Sequence, residues 1–197
     1  MEQMKDLSDW RVALRYAVRM YLEQTSAASQ EHIKDTPRRV VEMWEEFASG
    51  YTQYPKTELL CFDDVAGYNG MLHVWGVPVV SVCAHHIVPI IGTAHFAYIP
   101  DKRVVGLSKI PRMVNILSAR HQIQEGLTDQ IVDTFFTSEV HPKGCAVTIT
   151  AVHCCMAARG IRQHGLVTQT TSLRGVMSKG EPRQEFLGAV EPKSIVL

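Results

Sequence analysis

The chain has 197 residues, enough for one domain with a substantial hydrophobic core and an N-terminal appendage. Its 20 lysines and arginines balance 20 aspartates and glutamates, so no overall charge would recruit nucleic acid or an anionic membrane. No apolar stretch approaches the ~18 residues that span a bilayer, and the N-terminus lacks a signal-peptide core, so we expect a cytoplasmic protein without a membrane partner. The five cysteines are an odd number and include the adjacent Cys154 and Cys155, which favours reduced thiols over disulfides.

Two amphipathic helices are predicted near the N-terminus. Residues 9 to 24 carry apolar side chains at helical spacing after a candidate N-cap at Ser8. A second helix is predicted in "DTPRRVVEMWEEFASGY", where Thr36 can cap, Pro37 suits the first turn and Gly50 ends the helix. We therefore expect a helical extension over residues 1–60, followed by a second domain over 61–197.

From about residue 71 the pattern becomes that of a sheet. Segments rich in β-branched residues and broken by Gly and Pro predict strands in "VPVVSVC", "IVPIIGTAHFAYIP", "RVVGL", "CAVTITAVHCCMAARGI" and "LVTQTTSLRGVM". Between the third and fourth of these, residues 108–140 keep a helical period and fit two successive helices. The fold class predicted is α+β, and residues 178–197 are too mixed in composition to assign.

Cysteine and histidine cluster at two places in the predicted sheet. In "SVCAHHIVPIIG", Cys83 and His86 have opposite strand parity, so they can share a metal only if the chain turns or bulges within "CAHH". In "AVTITAVHCCM", the two-residue period of a strand places His153 and Cys155 on one face and Cys154 on the other. Taken alone, the CxxH pattern fits a small buried thiol beside core histidines equally well.

Cys83, His86 and Cys155 together supply thiolate and imidazole donors, a set that favours zinc. Three protein ligands leave the fourth tetrahedral position for water, which is typical of a catalytic metal. A structural zinc would need a fourth protein ligand, and Cys154 is the nearby candidate. The remaining histidines of the two clusters, His85 and His153, would then lie where proton donors and acceptors are needed.

Two further stretches suggest ligand contacts. Ser108, Lys109 and Arg112 begin a predicted helix, where backbone N–H groups and two cations favour a phosphate; the alternative is a capped helix with solvated charges. Arg159, four residues after Cys155, adds a cation suited to an anionic substrate. Gln124 and Glu125 pair an amide with a carboxylate, and a carboxylate can accept hydrogen bonds from the two-donor edge of guanine. The alternative is that both residues simply lie on an exposed helix face.

In order along the chain, "SVCAHH", "VVGLSKIPRMV", "QIQE", "AVHCCMAARGI" and "TQTTSLRGVM" closely resemble the GTP cyclohydrolase I family, and "DTPRRVVEMW" resembles its N-terminal helix motif. The resemblance runs from about residue 35 to 190. It implies a tunnelling fold, an antiparallel sheet with two helices on one face, plus an N-terminal helical extension. It also implies that the sheets join into rings that stack as a homodecamer, with sites between subunits. The implied activity is zinc-dependent hydrolysis of GTP at C8, with release of formate and rearrangement to 7,8-dihydroneopterin triphosphate.

The resemblance also implies roles for residues by position. Cys83, His86 and Cys155 match the zinc ligands; His85 matches the histidine that protonates the purine ring, and His153 the one that serves the later ribose steps. The catalytic set is His85, His153, Gln124 and Ser108. The substrate-binding set is Glu125 at the guanine edge, backbone groups around Val105 and Leu107, and the triphosphate or ribose contacts Lys109, Arg112, Arg159 and Arg39.

Three positions depart from the family pattern. Ala84 stands where the family has a glutamate beside the metal ligands, Gly126 replaces the arginine of a Q-E-R motif, and Glu42 replaces an expected basic residue. These changes leave the proposed ligands and histidines intact, so the enzyme interpretation is kept. They leave open an altered nucleotide preference, for dGTP or GMP, and a non-catalytic protein of this fold that binds a purine or pterin.

Overall fold

A computed structural model describes residues 8–63 and 67–190 of the chain. The outer ends of the two predicted domains, residues 1–7 and 191–197, lie outside the described residues. The chain divides into two compact units, with the boundary between Ala48 and Ser49. Within the described ranges, no helix combines the length and the apolar character that crossing a membrane requires.

The N-terminal unit consists of helices α1 (Trp10–Thr25), α2 (Gln30–Ile33) and α3 (Thr36–Phe47). The cap of α1 is Asp9 rather than the expected Ser8, because the Asp9 carboxylate accepts a hydrogen bond from the N–H of Arg11. Thr36 is likewise the first helical residue of α3 rather than its cap, and Asp35 occupies the cap position. An ion pair between Arg11 and Glu45 joins α1 to α3.

The second unit contains seven strands and four helices in its described part. The strands are β1 (Cys61–Phe62), β2 (Leu72–Cys83), β3 (Pro89–Ile99), β4 (Val104–Val105), β5 (His121–Gln122), β6 (Gly144–His153) and β7 (Thr168–Gly175). The helices are α4 (Lys109–Ser118), α5 (Gln124–Phe136), α6 (Cys154–Ala157) and α7 (Gly180–Ala189), with short 3₁₀ turns at Ser49–Thr52, Pro55–Glu58 and Val176–Ser178.

The main sheet has the order β5-β2-β3-β6-β7, and β1 pairs separately with β4. β2, β3, β6 and β7 are antiparallel neighbours, whereas β5 adds two residues in parallel to the end of β2. Alternate residues of the long strands pack with both α4 and α5 in one core, which buries the set Val77, Val79, Phe96, Val147, Ile149, Ile110, Met113, Leu127, Ile131 and Phe135. The α+β prediction, an antiparallel sheet with two helices on one face, is confirmed.

Polar contacts fix α5 along β7. Thr128 contacts Thr170 (Oγ1 to Oγ1, 2.6 Å) at the start of the helix. At the next residue of α5, the Ser172 hydroxyl donates to Asp129 at 2.6 Å, and one turn further Arg174 Nε donates to Asp133 at 2.7 Å. The register of α5 on the sheet is therefore set by hydrogen bonds as well as by packing, which fixes the position of its N-terminal residues.

Helix α7 was not assigned from the sequence. Its one buried residue is Phe186, which packs with Ala97, Ala146 and Met177 in a second, smaller core cluster. A helix with a single buried side chain has no apolar period, so this helix cannot be predicted from the sequence pattern.

We expect Gly92→Ala to destabilise the protein by about 1–3 kcal/mol, the cost of overpacking a tight site. Gly92 lies on β3 opposite β6, where an added Cβ would lie 2.2 Å from the carbonyl oxygen of Thr150 and 2.6 Å from the Cα of Ala151. The matched control is Gly188→Ala in α7, where a Cβ meets open space and helix propensity should add stability. Thermal unfolding of the two variants tests this, and a Gly92→Ala midpoint at or above that of the parent protein contradicts it.

Candidate functional site

The chain reverses direction directly after the first proposed metal ligand. β2 ends at Cys83, and its carbonyl accepts hydrogen bonds from the N–H groups of His86 (3.3 Å) and Ile87 (2.9 Å). Ile87 has a φ of +53°, a conformation that a β-branched residue rarely adopts. The turn predicted within "CAHH" is confirmed, and it overcomes the opposite strand parity of Cys83 and His86.

A three-donor group forms at this turn. One donor atom from each of Cys83, His86 and Cys155 lies within 4.8 Å of the others, and Cys83 Sγ lies 3.8 Å from His86 Nδ1. Tetrahedral zinc bonds of about 2.3 Å to sulfur and 2.0 Å to nitrogen would place these two atoms about 3.5 Å apart. Cys83 is buried, Cys155 is partly buried and His86 is exposed, so the group is open on one side. The donor set, its spacing and its open side fit a metal ion.

Cys155 reaches this group by a route that differs from the prediction. The sequence placed His153 and Cys155 on one strand face, but β6 ends at His153 and Cys154 begins the short helix α6. The expectation of a shared strand face is therefore wrong; a helical turn carries Cys155 to the ligand group. Cys154 is not part of that group.

The Cys155 thiol is tuned by its surroundings. Burial, and then the hydrogen bond and charge of the Cys83 thiol, raise the pKa of Cys155, while Arg159 lowers it. A divalent cation between the two sulfurs would oppose the rise in pKa because it stabilises both thiolates. Metal uptake at this group is therefore expected to release protons.

Strand β5 supports the turn at residues 83–87, called the metal turn below. This strand was not predicted from the sequence. The N–H of Ala84 donates to the Gln122 carbonyl at 3.0 Å, and Cys83 pairs with Gln122 across the parallel ladder. The Gln122 amide in turn donates to Leu117 O at 2.9 Å and to Gln130 Oε1 at 3.0 Å. A two-residue strand carries no period from which it could have been predicted.

The two candidate proton-transfer histidines have different environments. His85 is exposed, and its Nδ1 lies 3.8 Å from Cys83 Sγ. His153 is half-buried, and its Nε2 lies 2.8 Å from Gln124 Oε1. Burial lowers the pKa of His153 from the ordinary histidine value, and the nearby Glu125 carboxylate opposes part of that change. The structure thus brings His85 next to the metal donors, and His153 next to Gln124 and Glu125.

Gln124 and Glu125 begin α5 and differ sharply in exposure. The Gln124 side chain is 1% exposed, and its amide nitrogen contacts Ile149 O, Thr168 O and Thr170 Oγ1 at 3.0–3.1 Å. Glu125 is exposed, so its carboxylate is free to meet a ligand. Gly126 leaves space beside them, since an added Cβ would come no closer than 3.4 Å to Ile123.

The candidate anion group lies at the start of α4. Ser108 occupies the N-cap position without a side-chain capping bond, and Lys109 and Arg112 follow on the first turn. Arg112 is exposed and lies 3.6 Å from the Glu58 carboxylate, an ion pair that an incoming phosphate would have to compete with.

The other residues predicted to contact substrate make no hydrogen bond or ion pair with the three-donor group among the described residues. Leu107 is exposed, whereas the N–H of the buried Val105 already donates to the Tyr98 hydroxyl at 3.2 Å. Arg159 is exposed after α6, close enough to act on Cys155 electrostatically. Arg39 is exposed on α3 in the N-terminal unit. Between described residues, no hydrogen bond or ion pair joins the start of α4 to the metal donors.

Known proteins resemble this chain over nearly its whole length. It is 42% identical over 179 residues to "GTP cyclohydrolase 1" of Sulfurihydrogenibium sp. (strain YO3AOP1), covering 90% of this chain and 93% of that relative. It is also 42% identical over 180 residues to "GTP cyclohydrolase 1" of Aquifex aeolicus (strain VF5), covering 90% and 95%. A solved structure, archaeosine synthase QueF-Like in the apo form, covers 55% of this chain and 96% of that chain at 14% identity with a TM-score of 0.44, too distant a likeness to carry an argument.

The family model described as GTP cyclohydrolase I matches residues 14–191, a range that takes in the metal donors, both histidines and the start of α4. On this match and on the identity to the curated relatives, the chain belongs to the GTP cyclohydrolase I family.

Proposed function

We propose that this protein is a zinc-dependent GTP cyclohydrolase I, which hydrolyses GTP at C8, releases formate and rearranges the product to 7,8-dihydroneopterin triphosphate. The observation that carries the proposal is the open group of Cys83, His86 and Cys155 in a chain of this family. Three donors with one open side suit a catalytic ion, since a structural zinc site is closed by four protein ligands.

Zinc held by Cys83, His86 and Cys155 would supply a Lewis acid that activates water for hydrolysis. The protein's own contribution is proton transfer. His85 lies beside the donor group and would serve the purine ring, whereas His153 is held by Gln124 and would serve the later steps at the ribose. Ser108, at the start of α4, is the remaining member of the proposed catalytic set.

The substrate contacts follow from charge and exposure. The exposed Glu125 carboxylate would accept the two donors of the guanine edge, with backbone groups around Val105 and Leu107 assisting. Lys109 and Arg112, with Arg159 and Arg39, would bind the triphosphate and ribose. The N-terminus of a ten-residue helix adds N–H groups suited to phosphate.

The proposal extends to assembly and location. In the described sheet, β7 has one neighbour and β2 is paired with β5 only at its end, so both edges offer strand groups for pairing between subunits. We propose a homodecamer with sites between subunits, in which residues 61–197 form the catalytic tunnelling-fold domain and 1–60 a helical extension. Light scattering should then give ten times the 22.1 kDa chain mass. All five cysteines are free, which suits the reducing cytoplasm.

The direct test is formate release from GTP, dGTP and GMP by zinc-loaded protein, with the fluorescence of the oxidised pterin measured in parallel. Formate with pterin from GTP supports the proposal, and the relative rates rank the three nucleotides. If dGTP or GMP is turned over faster than GTP, the protein is a family member with altered preference. If neither product forms although zinc and nucleotide bind, the enzyme proposal fails in favour of a binding protein, and Ala84→Glu becomes the variant that should restore turnover.

We expect Arg112→Ala to raise KM for GTP by roughly 10-fold, the value of one charge-assisted contact to phosphate, and to change kcat little. The matched control is Lys102→Ala, an exposed cation beyond the end of β3 that lies away from the metal turn. Steady-state kinetics with GTP tests both variants. An unchanged KM for Arg112→Ala, or an equal rise for Lys102→Ala, would remove Arg112 from the phosphate site.

A further inference from the structure

The side chain of Gln124 lies at the centre of a hydrogen-bond network that joins α5, β6 and β7. Its nitrogen contacts the carbonyl oxygens of Ile149 (3.1 Å) and Thr168 (3.0 Å). Both carbonyls can only accept, so the atom that faces them must be the NH₂ group; the flipped amide would set oxygen against oxygen at two contacts. The orientation of the Gln124 amide is therefore fixed by the backbone of the sheet.

The hydrogen bonds of two threonines require the same orientation of the Gln124 amide. Thr128 contacts the carbonyl of Gln124 at 2.7 Å, one turn earlier in α5, and donates its proton there because that oxygen cannot donate. Thr170 then gives its own proton to Thr128 across their 2.6 Å contact. The Thr170 oxygen is left as an acceptor for the Gln124 nitrogen at 3.1 Å. Every contact agrees with the same amide orientation.

The oxygen of the Gln124 amide determines which ring nitrogen of His153 carries the proton. With its NH₂ group held by the sheet, Gln124 presents Oε1 to His153 Nε2 at 2.8 Å. An amide oxygen can only accept, so Nε2 must carry a hydrogen. A neutral imidazole has one N–H, which leaves the lone pair on Nδ1.

We propose that Gln124, oriented by the carbonyls of Ile149 and Thr168 with Thr170 in support, is a positioning residue that holds neutral His153 in its Nε2–H tautomer and thereby reserves Nδ1 for proton exchange with the substrate. Because Gln124 is 1% exposed and both ends of its amide are engaged, it acts through His153 and not by touching substrate itself. The assignment of the tautomer follows from the hydrogen-bond geometry alone, whereas its catalytic consequence rests on the proposed function.

The tautomer can be read directly. Solid-state nitrogen-15 NMR of the zinc-loaded, histidine-labelled protein separates protonated from unprotonated ring nitrogens, and the signals lost in His153→Asn identify this residue among the nine histidines. At a pH where His153 is neutral, we expect a protonated Nε2 and an unprotonated Nδ1. A protonated Nδ1 in the parent protein overturns the proposal without any further variant.

Matched valine variants test the network. Thr170→Val removes the hydroxyl that contacts Gln124, and Thr171→Val removes the neighbouring hydroxyl, which instead contacts Thr148 on the opposite face of the sheet at 2.8 Å. Because the carbonyls of Ile149 and Thr168 still hold the NH₂ group, we expect Thr170→Val to keep the Nε2–H tautomer. The loss of one of the three contacts should lower kcat for pterin formation by about 3-fold, with little change in KM. Thr171→Val should change neither the tautomer nor kcat.

Gln124→Met removes both amide groups at similar size, and we expect it to lower kcat ~100-fold, the contribution of one proton-transfer group. A Thr170→Val protein that folds and takes the Nδ1–H tautomer overturns the claim that the carbonyls of Ile149 and Thr168 orient Gln124. If the parent protein shows the Nε2–H tautomer but releases no formate from GTP, the proposed function fails while the assignment of the tautomer stands.

Discussion

Cys155→Ser and Cys83→Ser are each expected to reduce bound zinc from one ion per chain to a small residual fraction, and to lower formate release from GTP by ~100-fold or more. The donor atoms of both residues lie in the three-donor group with His86. A serine hydroxyl stays protonated at neutral pH and is a poor ligand for zinc, so either change leaves two protein donors where catalytic zinc sites have three. Metal analysis of the purified protein and an assay of formate measure the two effects.

The matched control is Cys154→Ser. Cys154 adjoins Cys155 in α6 but is not part of the three-donor group, so the variant should keep its zinc and its activity. If Cys154→Ser loses zinc as fully as Cys155→Ser, the ion has four protein ligands and is structural. If Cys155→Ser keeps both zinc and activity, the metal centre proposed here is wrong.

Much of the fold could be predicted from the hydrophobic periodicity within single segments of the chain. The long strands β2, β3 and β6 repeat β-branched residues between Gly and Pro breaks, and α4 and α5 bury an apolar stripe, so both kinds of element could be predicted. β5 and α7 could not, because each is specified by partners distant in sequence. β5 exists through its two parallel pairs with β2, and α7 through Phe186 packing on Ala97, Ala146 and Met177.

In the candidate site too, features set by neighbouring residues could be predicted, whereas features set by residues distant in sequence could not. The turn within "CAHH" was predicted because two donors of opposite parity required it, and the hydrogen bonds to Cys83 O confirm it. The route to Cys155 was predicted wrongly, because the strand period continued past His153 in the sequence while the chain begins a helix at Cys154. The Gln124 network was beyond prediction from the sequence, since Thr128 and Thr170 are separated by 42 positions and carry no motif of their own.

The second large effect is expected at His153. We expect His153→Asn to lower formation of 7,8-dihydroneopterin triphosphate by ~10²–10⁴, the range for losing a general acid or base. The asparagine amide reaches only the position of Nδ1, so the variant loses the 2.8 Å contact between Nε2 and Gln124 Oε1 as well as the group that titrates near neutral pH. The contacts of Gln124 with Ile149, Thr168 and Thr170 do not involve residue 153 and should persist while proton transfer is lost.

The chemical step affected distinguishes His153 from His85. If His153 serves the ribose steps, His153→Asn should still release formate while the pterin falls, whereas His85→Asn should lower both products, because His85 lies 3.8 Å from Cys83 Sγ beside the metal donors. His141→Asn is the control, since His141 is exposed at the far end of β3 and β6 and pairs with Glu139. Parallel loss of formate and pterin in His153→Asn would place this histidine in ring opening, and unchanged rates would remove it from the reaction.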